Sequence, residues 1–461
     1  MTVARRRLWS ACVACVLLWA SVASAQTDVV PGRQEVWLAS PEARAALFDA
    51  VAGRVQQNHL SRTTLNWQAW QQAYRPGVIA AGGQEALDRA FRRAFRGLDD
   101  DHSRWLGRRA DTRVASTAQA NVGPQVVNQR LGAGTAVLPG LGLLIERPYA
   151  GGLASNAGLH RGDVLVNLGG QALGALPAHE LLNVTAQRLQ RPAVLAVVLR
   201  RGVAKPVVLQ PPLHRGASAP QRPYAQAIPG RHAVRLWIPT FESGTATAVA
   251  RALGAVPADA STALLLDLRG NPGGSVREML HTLALFAPDV RLTAVIDGAV
   301  RWRSVVEQDS GVTRVVLQPT DPYDPLGPLA AGSVPTGPSW PGTIAVLVDG
   351  RTNSAAEALA GALVNGLGVP AFGTATPGNV EMVRRMAFPA GHEAWVAFAE
   401  LRDAAGEPLT PIVPAQSRPY RPQDLTTGWD AAEAAALAAL TGVGSPDGPY
   451  FRPRTLVGAT P

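Results

Sequence analysis

Two short stretches dictate what this chain can become: Leu264–Gly274 (LLLDLRGNPGG) and Ile344–Leu363 (IAVLVDGRTNSAAEALAGAL). Each reads as an apolar strand, a sharp turn and then a helix. Leu264-Leu265-Leu266 is a continuous apolar run, the pattern of a strand covered on both faces. Gly270–Gly274 breaks it and leaves several backbone N–H groups without a regular partner. In the second stretch Asp349-Gly350 makes the turn and Asn353-Ser354 opens an alanine-rich helix. A serine at such a junction, beside an amide-rich glycine turn, has the parts of a nucleophile with an oxyanion hole. Ser354-Ala355-Ala356-Glu357 is equally a capping box, in which the hydroxyl only closes the helix start. On local sequence both readings stand.

At 461 residues the chain has room for two or three domains. Residues 1–25 read as a secretory signal peptide: Arg5-Arg6-Arg7, an apolar Leu8–Ala20, and Ala23-Ser24-Ala25 before the cleavage point. Export to the periplasm, cell envelope or medium is therefore expected, with no stable membrane insertion. Both cysteines, Cys12 and Cys15, lie in that segment, so the rest of the chain has no disulfide, thiolate or cysteine–metal chemistry. Without the signal the formal charge falls from +9 to +6, and no dense basic block appears, which disfavours nucleic acid. Lys205 is the only lysine; the other 42 of the 43 basic residues are arginine, which cannot act as a general base.

The expected organisation follows the composition. After a lead at 26–40, residues 41–130 read as a helical region, with Leu47, Val51, Val55, Leu87, Phe91 and Phe95 at helical spacing. Residues 131–213 alternate short β-prone runs with glycine turns, and 214–229 form a Pro/Ala/Arg-rich linker. Residues 230–445 alternate strands and helices, as in an α/β domain, and 446–461 are a tail. Asp321–Pro341, heavy in Pro and Gly, reads as a long irregular excursion.

Residues 131–213 resemble a PDZ domain. The resemblance implies peptide-terminus binding at the glycine loop Leu141-Gly142-Leu143, the peptide joining the adjacent strand edge. More broadly, a helical lead ending in LDDDHS (98–103), a PDZ-like insert, LDLRGNPGG and then SAAE resemble the tail-specific, or carboxyl-terminal-processing, serine protease family, including its lysine-less tricorn-like branch. That implies a crotonase-like α/β protease domain with an inserted PDZ-like domain and an N-terminal helical cap. It also implies cleavage of proteins or peptides with free C-terminal tails, without a cofactor. By this resemblance Ser354 is the nucleophile, and backbone N–H of Gly273 and Ala355 form the oxyanion hole. Where the main branch carries its lysine base, this chain has Asn379, which cannot take a proton. His102, in LDDDHS, is then the expected base. Glu407, in a late GEPL turn, is the expected orienting residue, with Asp101 and Asp403 as rivals. No HExxH, clustered metal ligand or phosphate loop appears, so metal and nucleotide chemistry lack support. The competing expectation is a catalytically silent protein that holds peptide termini.

Overall fold

The computed structural model describes residues 40–98, 100–108, 124–149, 151–210, 222–228, 230–256, 259–309, 311–335 and 340–441. The expected signal peptide, the C-terminal tail, the lead except Ser40, and linker residues 214–221 and 229 lie outside the described residues. Three helices come first: α1 (Pro41–Asn58), α2 (Trp67–Ile79) and α3 (Gln84–Arg96). Ser40 Oγ accepts the Ala43 amide and Asn66 Oδ1 the Ala69 amide, so each of the first two helices starts on a side-chain cap. Leu47, Phe48, Val51, Leu87, Phe91 and Phe95 are buried between them. Phe91 stacks at 4.1 Å on Trp105 of the following strand, β1 (Arg104–Arg108).

A second layer comprises α4 (Pro124–Leu131), β2 (Ala133–Leu138), β3 (Gly142–Pro148), the single turn α5 (Leu153–Asn156), β4 (Val164–Leu168) and β5 (Gln171–Ala172). It continues with α6 (Ala178–Arg188), β6 (Val194–Arg200) and β7 (Val203–Leu209). Its strands form an antiparallel sheet in the order β2-β3-β4-β6-β7, with β5 beside β4. Leu143, Ile145, Leu165, Leu181, Ala196 and Val198 fill its own core.

The site is built on a third unit. It runs through β8 (Tyr224–Ala227), β9 (Ala233–Trp237), α7 (Thr245–Gly254), β10 (Ala263–Asp267), α8 (Val276–Phe286) and β11 (Leu292–Ile296). Next come β12 (Ala299–Asp309), β13 (Val312–Pro319), β14 (Leu329–Pro335), β15 (Ile344–Val348), α9 (Ala355–Leu367) and β16 (Ala371–Gly373). The unit closes with β17 (Glu381–Phe388), β18 (His392–Asp403) and α10 (Ala431–Thr441). One sheet has the order β16-β15-β10-β9-β8, its first four strands parallel. Leu264, Leu266, Val346 and Val348 face a core shared with α8 and α9, while Leu265, Ala345 and Leu347 face Ala432 and Ala436 of α10. Both faces are covered, as the unbroken apolar runs require. The other sheet is antiparallel, β1-β18-β11-β12-β13-β14, with β17 on the free edge of β18.

Two expectations change. Within the supposed irregular excursion, Leu329–Pro335 is strand β14, paired with β13 from Val312↔Pro335 to Leu317↔Leu329. Residues 329–334 contain no proline, and a neighbouring strand outweighs the turn-forming flanks. The strand β1, which follows His102 after Ser103, has no alternating sequence signal because the apolar Leu106 is exposed and a glycine, Gly107, takes the second buried position.

Candidate active site

Ser354 occupies the position between the turn after β15 and helix α9, with φ 55° and ψ −125°. A non-glycine residue in the left-handed region is strained, and such strain persists only where the surroundings impose it. The surroundings do so here. Asp349 Oδ1 takes the Arg351 and Gly270 amides, Thr352 Oγ1 donates to Leu268 O at 3.0 Å, and the Asn353 amide donates to Asn271 O at 2.9 Å. The Ser354 side chain makes no capping bond to its helix, so the hydroxyl is not used as the capping-box reading requires. Ala355 begins the helix, where an N–H has no intrahelical partner and the helix dipole is positive.

The glycine turn is pressed directly against this junction. A Cβ placed on Gly273 (φ 95°) would lie 2.7 Å from Ser354 Cβ and 2.9 Å from the Ala355 nitrogen, so only glycine fits. The Gly273 amide, however, donates to the buried Asn271 Oδ1 at 2.8 Å, and Asn271 Nδ2 donates to Ile238 O at 2.9 Å. In this structure Gly273 N–H is therefore occupied, which departs from its expected role as an oxyanion donor: the asparagine that shapes the turn takes the amide. Gly273 O and Ser275 N both bond to Phe241, across a bridge between Phe241 and Gly274. That alternation directs the Gly274 N–H away from Phe241.

His102, early in the chain, is held by a separate set of partners. Its Nδ1 lies 2.7 Å from Glu381 Oε2, and both side chains are largely buried, at 16% and 18% exposed. With Nδ1–H donated to the carboxylate, Nε2 carries the lone pair, the tautomer a general base needs. The loop is held by Asp100, whose Oδ1 accepts the amides of His102, at 2.8 Å, and Ser103. Asp100 Oδ2 bonds to Nε2 of the fully buried His59 at 2.8 Å, and the Ser61 amide donates to His59 Nδ1. Burial pushes the Asp100 carboxyl up, but His59 and the Ser103 contacts prevail and hold it below its ordinary value. Ser103 Oγ accepts the Ala397 amide and fixes the loop to β18.

One contact chain joins the two halves. Glu357, one turn into the Ser354 helix and fully buried, accepts the Gly378 and Asn379 amides at 2.8 and 2.9 Å. Two residues later Glu381 holds His102. Asn379, in the turn where a lysine was expected, thus contributes its backbone to this link. Lys205 is exposed on β7, in the separate sheet.

Other expected residues fall elsewhere. Glu407 lies exposed in the turn after β18, its amide donating to Asp403 Oδ1 at 2.8 Å. The carboxylate on His102 is Glu381, not Glu407, Asp101 or Asp403. Glu381 opens a strand in no motif, so only the three-dimensional pairing reveals it. Leu141 closes the β2–β3 turn, Gly142 opens β3, and Leu143 is buried. There β3 pairs with β2 through Leu138↔Gly142 and Val137↔Leu143, and with β4 through Leu143↔Leu165. Both sides of Leu143 are taken, so a peptide strand has no edge to join there; the outer strands of this sheet are β2 and β7.

Beneath the turn, Asp267 is paired with Arg269 at 2.7 Å, and Arg269 with Asp430 at 2.8 Å, all buried. Burial opposes ionisation, yet the guanidiniums hold both carboxyls well below the usual range. Arg147 of β3 donates to Arg269 O, tying the second layer to the glycine turn. Among the described residues no group of three His, Cys, Asp or Glu is arranged to hold a metal ion.

Residues 234–413 match the model of Peptidase family S41. The chloroplastic carboxyl-terminal-processing peptidase 2 of Arabidopsis thaliana is 26% identical over 377 residues, covering 80% of this chain. The aligned part spans 66% of that relative's length, just under two thirds. Among solved structures, the photosystem II D1 C-terminal processing protease is similar at 18% identity and TM-score 0.43, covering 86% of this chain and 97% of that one. The tricorn protease is similar at 13% identity and TM-score 0.46, covering 87% and 37%.

Proposed function

We propose, from the match of residues 234–413 to the model of Peptidase family S41, that the chain is a member of that family and an active serine endopeptidase using Ser354, His102 and Glu381. Ser354 Oγ attacks the scissile carbonyl while His102 Nε2 takes its proton. Glu381 holds the imidazole tautomer and stabilises the imidazolium that forms. His102 then returns the proton to the leaving amine. Ala355 N–H and the α9 dipole face the developing oxyanion, and Gly274 N–H, directed away from Phe241, is assigned as the second donor. Losing one such donor typically costs about 10²–10³ in turnover. The observation that carries this reading is the 2.7 Å His102–Glu381 pair, linked through Glu357 to the helix that Ser354 begins.

The finer readings belong to the same proposal. The domain is crotonase-like with α1–α3 as its helical cap, and residues 131–213 are a PDZ-like insert that receives the tails of protein substrates, the peptide lying along β2. Arg5–Arg7, the apolar run after them and Ala23-Ser24-Ala25 support export. No helix among the described residues is long and apolar enough to cross a membrane.

A second reading, a silent peptide-holding protein, is favoured by one observation: Asn379 stands in the lysine turn and Lys205 is in another sheet. Hydrolysis of an unfolded protein with a free C-terminal tail separates the two. Fragments released by the wild type and absent with Ser354→Ala establish the peptidase; no fragments from either, with the protein folded, establish the holder.

A further inference from the structure

Strand β17 begins at Glu381 and runs on to a cleft beside helix α1. The cleft has a volume of about 590 Å³ and is lined by Asp49, Arg54, Gln57, Asn58, Arg384 and Arg385, with Gly53 and Ala50 leaving room at its wall. Most charges around it are committed. Both oxygens of Asp49, the only acid in the lining, are held by Arg75 at 2.7 and 2.8 Å. Arg385 is paired with Glu393.

Arg54 and Arg384 are different. Arg54 Nη1 donates to Ala387 O at 2.8 Å, which fixes the guanidinium at the cleft and leaves its other N–H groups unassigned. Arg384 lies over the Phe398 ring at 4.9 Å, and its Nε is buried without an acceptor. Burial and then the charge of Arg54 push the Arg384 pKa down, and no carboxylate offsets them. A desolvated cation facing a second cation is unfavourable unless an anion completes the set. The guanidinium fork matches the oxygens of a carboxylate or phosphate group.

We propose that this cleft is an oxyanion-binding site in which Arg54 and Arg384 grip one phosphate or carboxylate group and Gln57 supplies a further amide donor. The site is separate from Ser354 and does not depend on the peptidase reading. Arg54 is exposed, so its contribution is screened by solvent, and Arg384 carries more of the binding.

Calorimetric titration of the folded chain at low ionic strength tests it. One arm uses inorganic phosphate. The other uses a short peptide with a free C-terminal carboxylate against its amidated twin, on the Ser354→Ala background so that nothing is cleaved. Saturable binding in either arm is expected, weakened about tenfold or more by Arg384→Gln and less by Arg54→Gln, and within about twofold of wild type for Arg385→Gln. Binding in only one arm identifies the oxyanion. Because each of the first two substitutions removes one of two repelling charges, their unfolding midpoints should equal or exceed that of the wild type. No binding in both arms, or binding unchanged in both Arg384→Gln and Arg54→Gln, overturns the proposal.

Discussion

The Ser354 half and the His102 half of the site are built in opposite ways. Around Ser354, everything comes from two turns that follow adjacent parallel strands, β10 and β15. The strain at Ser354, the close approach of Gly273 and the Asn271 clamp are all consequences of short-range chain geometry. Around His102, four separate segments converge: His59 after α1, Asp100 in the loop, Glu381 at the start of β17 and Ala397 on β18. β1 and β17 lie on opposite edges of β18, since Ala394 pairs with both Trp105 and Met386. The proposed nucleophile is thus encoded locally, whereas its proposed base depends on long-range packing. The first half should respond to substitution in an all-or-none way and the second in graded steps.

The largest expected effect tests the local half. Ser354→Ala should lower peptide hydrolysis by about 10⁴–10⁶, with an unchanged unfolding midpoint, because the side chain makes no capping bond. A midpoint lowered by the equivalent of about 1 kcal/mol would instead restore the capping role. On the long-range half, Glu381→Gln should reduce kcat by about 10²–10⁴ while Glu407→Gln stays within about twofold, measured by steady-state kinetics. If the two variants exchange these behaviours, the carboxylate assignment is wrong.

One step further from the chemistry, Asp100→Asn should reduce kcat by about tenfold with KM little changed, since the loop amides keep only a neutral acceptor. Its effect on stability has a definite pH sense. The folded Asp100 carboxyl lies below its unfolded value, so its contribution is present above about pH 4 and is lost as pH falls through the folded value. The acid limb of the wild-type stability curve should therefore flatten in Asp100→Asn.

The smallest effect concerns His392, the first residue of β18. It is fully buried against Trp105, with its Nδ1 on Pro389 O at 2.9 Å. Burial depresses its pKa more than the Pro389 contact raises it. The unfolded chain then binds more protons below about pH 6.5, so stability should fall as pH drops from 6.5 toward the folded value. His392→Gln should remove that slope, read as unfolding midpoints between pH 5 and 7.

The same asymmetry explains what the sequence disclosed. Leu264–Asp267, Val276–Phe286 and the helix after Ser354 were legible because continuous apolar runs and alanine-rich segments ending at glycines have few alternative folds. Ser354 and the constrained Gly273 followed from the same signals. His102 was visible only through the LDDDHS resemblance. Glu381 was not visible at all: a glutamate opening a strand has no signature until β17 and β1 are set against β18. Leu141–Leu143 show a related limit, because a glycine turn reveals candidate free amides but not whether neighbouring strands occupy the edges. The free edge at β2 is a property of strand order, which periodicity does not encode.

The central claim is that His102 activates Ser354 in place of a lysine. A fluorophosphonate probe followed by mass spectrometry of the labelled peptide tests it most directly. The account predicts one adduct on Ser354, forming faster as pH rises through the neutral range. It also predicts labelling slowed at least a thousandfold in His102→Gln, whose unfolding midpoint should stay near that of the wild type. Labelling of Ser354 at an undiminished rate in folded His102→Gln, or no labelling of the wild type, would contradict it.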